Sequence, residues 1–255
     1  MTISYTIKHY DSIDSTNLEA RRLIGQNCGH GTVVTAESQT AGKGRLGRAW
    51  NSARGAGLWF SVVLEPRIPV HQVSLYSFAA AVSVAEGIQL STGLSSQVKW
   101  PNDVLLKGRK VCGILLELVA ERNQPVRVII GIGINANQQM EDFPEDVQHK
   151  AVSLAMETGK SIDRQQVLDA VLDRLAFYSA ELEQNGFAAI RETWTALSCV
   201  RGKAVQIVQQ GKPVLYGTAL GLDDDGALLV QTEHGTERIT AGDVSLRAAD
   251  GGYAV

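Results

Sequence analysis

The segment Glu37-Ser38-Gln39-Thr40-Ala41-Gly42-Lys43-Gly44-Arg45-Leu46-Gly47-Arg48-Ala49-Trp50 joins bare backbone to positive charge. Glycines at 42, 44 and 47 let amide N–H groups approach an anion closely and permit positive φ. Lys43, Arg45 and Arg48 alternate with them, so cationic side chains and amides can converge on one phosphate, and Arg is suited to bidentate contact. The spacing also matches G-x-G-x-x-G. A dinucleotide fingerprint, however, needs a helix opening at its third glycine, and Arg48-Ala49-Trp50-Asn51-Ser52-Ala53-Arg54-Gly55 offers no apolar helical face. Taken by itself, the segment also reads as a solvated basic loop. Arg48 and Trp50 form the one aromatic–basic pairing, suited to stacking a purine ring.

Three further segments carry chemistry. In Val98-Lys99-Trp100-Pro101-Asn102-Asp103, a stiff Trp-Pro step sets a Lys and an Asp four residues apart at the end of a strand. The cation can stabilise developing negative charge, and the carboxylate can hold Mg²⁺; a surface ion pair at a turn is the plain alternative. Lys110 opens the apolar run Lys110–Glu117, in which Gly113 interrupts bulky neighbours and marks a place where a ligand or another backbone comes close. Arg109 reads as a basic hairpin tip facing water, and Cys112 as a small core residue. Gly131-Ile132-Gly133-Ile134-Asn135-Ala136-Asn137 is a buried strand with alternate glycines, ending in amides and suited to a ligand lying flat against it. Its alternative is a plain strand with an Asn-rich turn.

Other chemistry is poorly supplied. The five histidines are scattered without metal-ligand spacing, and neither a Ser-centred nucleophile elbow nor a Walker A sequence appears. Cys28, Cys112 and Cys199 lie far apart, which argues against a disulfide framework and for a reducing cytoplasm. The 255 residues carry 24 Lys/Arg against 27 Asp/Glu, so there is no global pull toward nucleic acid, and phosphate chemistry must come from a local cluster. A hydrophobic content of 44% supports a sizeable core and excludes dominant disorder. The first residues lack a signal-peptide pattern, and no uninterrupted apolar run of membrane-spanning length occurs, so no membrane association is expected.

The elements that must position these residues follow from pattern. Ser15-Thr16-Asn17 reads as a helix start, with Asp14 or Ser15 as cap and Leu18, Ala20, Leu23 and Ile24 at helical spacing. Strands are expected at 32–38, 57–65, 96–100 and 126–134, with a hairpin of 104–106 and 111–118. Residues 39–56 form a loop that is long for a compact domain. Helices are expected at 71–90, 149–158, 163–184 and 187–197. After Ser198, short alternating runs at 204–208, 214–222, 227–231 and 236–239, separated by Gly-containing turns, suggest a small β-barrel. The expected architecture is α/β of the α+β type. Residues 1–198 form a catalytic domain on a mixed or mainly antiparallel sheet, and residues 199–255 a separate β module.

Together, the four segments resemble the biotin protein ligases, also called biotin–[acetyl-CoA carboxylase] ligases. The match runs from Ser15-Thr16-Asn17 through Glu37–Trp50, Lys99–Asp103, Lys110–Glu117 and Gly131–Asn135 to Gly226–Leu229 and Val244–Arg247. The resemblance implies an α/β catalytic domain with an SH3-like C-terminal barrel. It also implies a two-step reaction: biotin and MgATP give biotinyl-5′-AMP and pyrophosphate, and the acyl group then passes to a lysine of a biotin carboxyl carrier domain. By the same resemblance, Ser15, Thr16, Asn17 and Gln39 contact biotin, and Gly42, Lys43, Gly44 and Arg45 belong to the loop that closes over it. Lys110 reaches the biotin carboxylate or the phosphoryl oxygens, with Gly113 beside it. Lys99 and Arg48 stabilise charge during adenylation. Asp103 organises Mg²⁺ or receives the target lysine, and Trp50 and Asn135 lie on the adenine side. Lys43 stands where many members have Arg, which makes that phosphate contact point-like. The Ser-Thr-Asn segment begins at residue 15, which leaves no room for the helix-turn-helix module of some members and predicts a ligase that does not bind DNA. The rivals are a lipoate–protein ligase, a non-catalytic nucleic-acid-binding protein using the basic loop, and a dinucleotide enzyme. For a homodimer, the apolar strands 111–118 and 126–134 are the candidates for pairing across a two-fold axis.

Overall fold

The structure is a computed structural model that describes residues 3–120, 126–241 and 244–253. Seven strands form a mixed sheet: β1 (Thr6–Ile13), β2 (Thr32–Gln39), β3 (Gly57–Leu64), β4 (Gln97–Lys99), β5 (Asp103–Leu106), β6 (Arg109–Val119) and β7 (Arg127–Asn135). Their order is β1-β2-β3-β7-β6-β5-β4, with β1 and β2 parallel and every other pair antiparallel. α1 (Thr16–Gly25) links β1 to β2.

Period-two alternation divides the sheet into two faces. On β3 and β7 the even-numbered residues (Leu58, Phe60, Val62 and Leu64; Val128, Ile130, Ile132 and Ile134) enter a large apolar core. That core is covered by α2 (Tyr76–Thr92), α5 (Arg164–Asn185) and α6 (Ala188–Leu197); two short helices, α3 (Glu145–Gln148) and α4 (Leu154–Thr158), lie between α2 and α5 in the chain. The odd-numbered Val63, Ile129 and Val119 pack instead under Ala20, Leu23 and Ile24 of α1. Further along the same face the side chains shrink to Ser61, Gly131, Gly133 and Gly113. Register sets Gly113 opposite Gly133, and Ser61 opposite Gly131. The uncovered part of that face is therefore a floor of small residues.

The stretch Val70–Thr92 is long and apolar enough to cross a membrane, but 72% of its most apolar window is buried inside the protein. Its composition is that of a core helix, in which Gly87 lets α5 approach closely: a Cβ there would lie 2.6 Å from Val171 Cγ2.

A second, five-stranded antiparallel sheet follows α6. It contains β8 (Ala204–Gln209), β9 (Lys212–Leu222), β10 (Leu228–Thr232), β11 (Gly235–Ile239) and β12 (Val244–Ala248), in the order β11-β10-β9-β8-β12. Val205, Ile207, Ala219, Leu222, Leu228, Val230 and Leu246 belong to the same apolar cluster as the first sheet. The Trp100 indole N–H donates to Gly226 O at 3.3 Å. Gly226 has φ 78° and faces Phe78, whose Cε2 would lie 2.4 Å from a Cβ there. The second sheet thus packs against the first through a shared apolar cluster.

The structure departs from the pattern in three places. β1 was not predicted: TIKHYDSI is exposed along nearly all its length and has no apolar alternation, and its pairing with β2 makes it a strand. The helix expected over 149–158 forms only as α4 (Leu154–Thr158), because Ser153 caps it, its hydroxyl accepting from Met156 N at 3.1 Å. The residues before that cap run alongside Lys110 instead: Lys110 N donates to Lys150 O at 2.6 Å and Val152 N to Lys110 O at 3.0 Å. Of the two strands expected to pair across a two-fold axis, β7 lies between β3 and β6 and has no free edge, whereas β6 meets β5 only through residues 109–113, and its residues 115–119 pair on that side with no described strand.

Candidate active site

The glycine–basic loop is anchored at both ends. Thr40 N donates to Ile13 O at 2.9 Å, Ala41 N to Asp14 O at 2.8 Å, and Gly55 N to Glu37 O at 3.1 Å. Within it, Gly44 N donates to Arg48 O at 2.8 Å and Trp50 N to Gly42 O at 2.9 Å, closing a narrow hairpin around the tip. Leu46 and Gly47 at that tip have φ 57° and 71°. Gly47 adopts this left-handed backbone freely; Leu46 does so at a cost. Arg45 ties the tip across the cleft: its guanidinium donates to Asn102 Oδ1 at 3.3 Å and, more closely, to Ala241 O.

The loop roofs a cleft of about 680 Å³ whose floor is the small-residue face of the sheet. Ser15, Thr16, Asn17, Gln39, Lys43, Gly44, Arg45, Arg48, Trp50, Lys99, Asp103, Lys110, Gly113 and Asn135 all line it. Gly42 does not. It is buried behind the loop, where a Cβ would lie 2.6 Å from Trp50 O, so its part is to let the hairpin close.

One end of the cleft is neutral and polar. Asn17 Nδ2 donates to Glu117 Oε2 at 2.9 Å, and Asn17 Oδ1 lies over Gly131, 2.2 Å from where a Cβ would stand. The Ser61 hydroxyl is within 2.6 Å of Asn17 Oδ1 and 2.8 Å of Thr16 Oγ1. Gln39 Oε1 accepts from Thr16 N at 2.8 Å, while Gln39 Nε2 donates to Ser52 Oγ at 2.8 Å. These short side chains are fixed by one another, as a rigid recognition surface requires. In the middle, the Trp50 indole lies flat on Gly113 and Gly133, within 2.7 Å of where each Cβ would be.

The other end is cationic. Seven Lys/Arg residues (Lys43, Arg45, Arg48, Lys99, Lys110, Lys150 and Arg247) face three carboxylates (Asp103, Asp142 and Asp146), in a chain of net charge -3. Lys110 Nζ pairs with Asp103 Oδ1 at 2.5 Å, and the Tyr253 hydroxyl donates to Asp103 Oδ2. Burial alone would raise the Asp103 carboxyl, but Lys110, Tyr253 and Lys99 outweigh it and hold the group below the ordinary carboxylate range. Lys99 is 2% exposed, and burial brings its ammonium down to about 8 despite the opposing pull of Asp103.

Asp103 does not fit the metal role expected of it: both of its oxygens are already engaged, by Lys110 and Tyr253. Among the described residues no group of three or more His, Cys, Asp or Glu could hold a metal ion. Asn135 lines the cleft but spends its amide on the scaffold, donating to Lys110 O at 3.3 Å and Val152 O at 3.1 Å. Arg109 is not a free tip either; it donates to Glu157 Oε1 at 2.7 Å. Cys112 is fully buried, and burial pushes its thiol well above the ordinary range, as a core residue requires.

Sequence reasoning missed Ser61, Arg247, Tyr253 and the wall formed by residues 138–151. Ser61 alone left a signal, as the single polar residue inside the apolar run GLWFSVVLE.

Residues 10–135 match the model of the biotin/lipoate A/B protein ligase family, and residues 201–247 match the biotin protein ligase C-terminal domain. The biotin–[acetyl-CoA-carboxylase] ligase of Paracoccus denitrificans is 36% identical over 236 residues, which cover 91% of this chain and 96% of that protein. The chain belongs to the biotin protein ligase family. The bifunctional ligase/repressor BirA of Bacillus spizizenii is 39% identical to this family member over 238 residues, 93% of this chain and 73% of that one. The biotin protein ligase of Aquifex aeolicus, solved with biotin and ATP, superimposes with a TM-score of 0.84 at 33% identity, covering 96% of this chain and 99% of the other. Both sheets of this biotin protein ligase fold therefore have counterparts in a solved relative.

Proposed function

We infer that the chain activates biotin with ATP to biotinyl-5′-AMP and transfers the biotinyl group to a lysine of a biotin carboxyl carrier domain. The observation that carries this reading is the cleft itself, with a fixed neutral amide–hydroxyl network at one end and a dense cationic cluster at the other. A ureido ring with a carboxylate tail matches the first, and a triphosphate matches the second.

The chemistry follows from charge. A carboxylate attacking an α-phosphate approaches an anion. Lys110, Lys99 and Arg48 offset that repulsion, and the walls hold the two reactants in line. Ser15, Thr16, Asn17 and Gln39 seat biotin against Gly131; Trp50 presents a flat apolar face for the adenine. Lys43, Gly44 and Arg45 close over the mixed anhydride and keep water from it. No side chain needs to form a covalent intermediate. Mg²⁺ would arrive with the nucleotide and would supply further positive charge to its phosphates. In the second step the neutral amine of the carrier lysine attacks the acyl carbon of the mixed anhydride, AMP leaves, and the amine's proton passes to solvent. Three unpaired cysteines fit a reducing, cytoplasmic setting.

Biotin-dependent exchange of labelled pyrophosphate into ATP tests the first step, and transfer of labelled biotin to a carrier domain tests the second. Transfer of lipoate but not biotin would reassign the chain to the lipoate branch.

A further inference from the structure

The matched C-terminal region ends at residue 247, but the chain continues and turns back into the cleft. Ala248 N donates to Gly252 O at 3.0 Å, Gly251 N to Ala248 O at 2.9 Å, and Gly252 N to Asp250 Oδ1 at 2.7 Å. This compact turn delivers Tyr253 to the cationic end. Its hydroxyl donates to Asp103 Oδ2, its ring centroid lies 3.8 Å from Lys99 Nζ, and the Arg247 guanidinium carbon stands 5.5 Å from the same ring.

We propose that Tyr253 is a positioning residue of the adenylation centre, giving Lys99 and Asp103 a neutral partner so that Lys99 and Lys110 stay apart and both face the reacting phosphate. The proposal rests on the ligase reading above. Its physical basis is a shortage of anions. Lys99 is faced by Asp103 on β5, Lys110 on β6, Arg247 on β12 and the Cys199 thiol after α6. Three cations thus crowd one carboxylate, and Lys110 already takes one of its oxygens. A second acid would neutralise the charge needed for catalysis. A phenol does not: burial and Asp103 hold it protonated, well above its ordinary range. It donates to the free Asp103 oxygen and offers its π face to an ammonium that has lost its water. The hydroxyl fixes Asp103, Asp103 fixes Lys110, and the ring holds Lys99.

Two variants separate these contacts. Tyr253→Phe keeps the ring and loses the hydroxyl. The kcat of biotin-dependent pyrophosphate exchange should fall about tenfold, as for one lost hydrogen bond to a charged group. KM for biotin should stay within about twofold, because the Asn17 end is untouched. Tyr253→Ala loses both contacts and should fall a further tenfold or so. A merely structural role would instead lower Tm, move KM and kcat together, and be relieved on cooling. Unchanged kcat in both variants overturns the proposal, and so does a rise, which would make the tail a plug.

One readout does not need activity. Tetranitromethane should nitrate Tyr253 at least about tenfold more slowly than the exposed Tyr216, because nitration needs an accessible phenolate. Equal rates would overturn the docking whatever the protein catalyses. Absence of biotin-dependent exchange in the unsubstituted chain would instead sink the ligase reading, and the catalytic part of this proposal with it.

Discussion

Trp50 and Gly133 lie face to face, the indole Cε2 and Nε1 each 2.7 Å from where a Gly133 Cβ would stand. The indole N–H is buried with no hydrogen-bond partner; the ring is seated by the glycine floor, by the edge of Trp59 at 6.2 Å between centroids and by Lys110 Nζ 5.2 Å from its centroid. Gly133→Ala should lift the ring into the cleft rather than move the strand, since Trp50 sits on a loop and β7 is paired on both sides. KM for ATP should rise about tenfold or more, with a stability loss of about 1 kcal/mol. Steady-state kinetics and tryptophan emission check this together; an unaltered KM would remove Trp50 from the nucleotide side.

Lys99 links pH to both stability and activity. Burial brings its folded-state value down to about 8, whereas an unfolded chain keeps it protonated to about 10.4. Between those values the unfolded state binds more protons, so stability rises with pH there, and below about pH 8 the full cost of the buried charge is present. Lys99→Met should stabilise the protein at pH 7 by up to about 3 kcal/mol and bring no gain near pH 10.5. Adenylation should run the opposite way, declining as pH passes through about 8 in the parent and nearly absent in the variant at every pH. Denaturant melts at pH 7 and 10 are the measurement, and destabilisation at pH 7 would contradict the burial argument.

Ser61 holds the neutral end together from beneath. Ser61→Ala frees Asn17 Oδ1 and Thr16 Oγ1 from their shared partner, each within 2.8 Å of its hydroxyl. KM for biotin should rise about tenfold while kcat at saturation changes less than about threefold. Isothermal titration with biotin alone would decide it, and a fall in kcat without loss of affinity would place biotin elsewhere.

Arg45 is the tie between loop and opposite wall, through Asn102 and Ala241. Arg45→Gly should leave adenylate formation within about tenfold of the parent but shorten retention of the mixed anhydride. Bystander proteins mixed with the variant should then carry biotin on surface lysines. Unchanged selectivity for the carrier would count against closure by this loop.

What could be read from the chain divides along physical lines. The glycine–basic loop, the Lys99–Asp103 step and the alternate glycines of β7 were legible because each needs an unusual residue type at a fixed local spacing. β1 was not, since Thr6–Ile13 is a polar edge strand defined only by its partner β2. Residues 149–153 misled because their mixed pattern also suits a helix, and only Lys110 across the cleft makes them extended. Asp103 has the residue type of a metal ligand, but Lys110 and Tyr253, both remote in sequence or on another strand, take its oxygens. Tyr253 lies 150 residues from the carboxylate it touches, a distance no local signal spans.

Phe78 meets Gly226 at one side, while Trp194 stands 5.8 Å from it at the other. That junction makes the terminal β sheet a poor candidate for exchange. A chimera carrying a relative's version would need matching residues at positions 78, 100 and 194; otherwise a hole would open behind the charged end of the cleft, and catalysis would suffer from a mismatch none of whose residues touch a substrate.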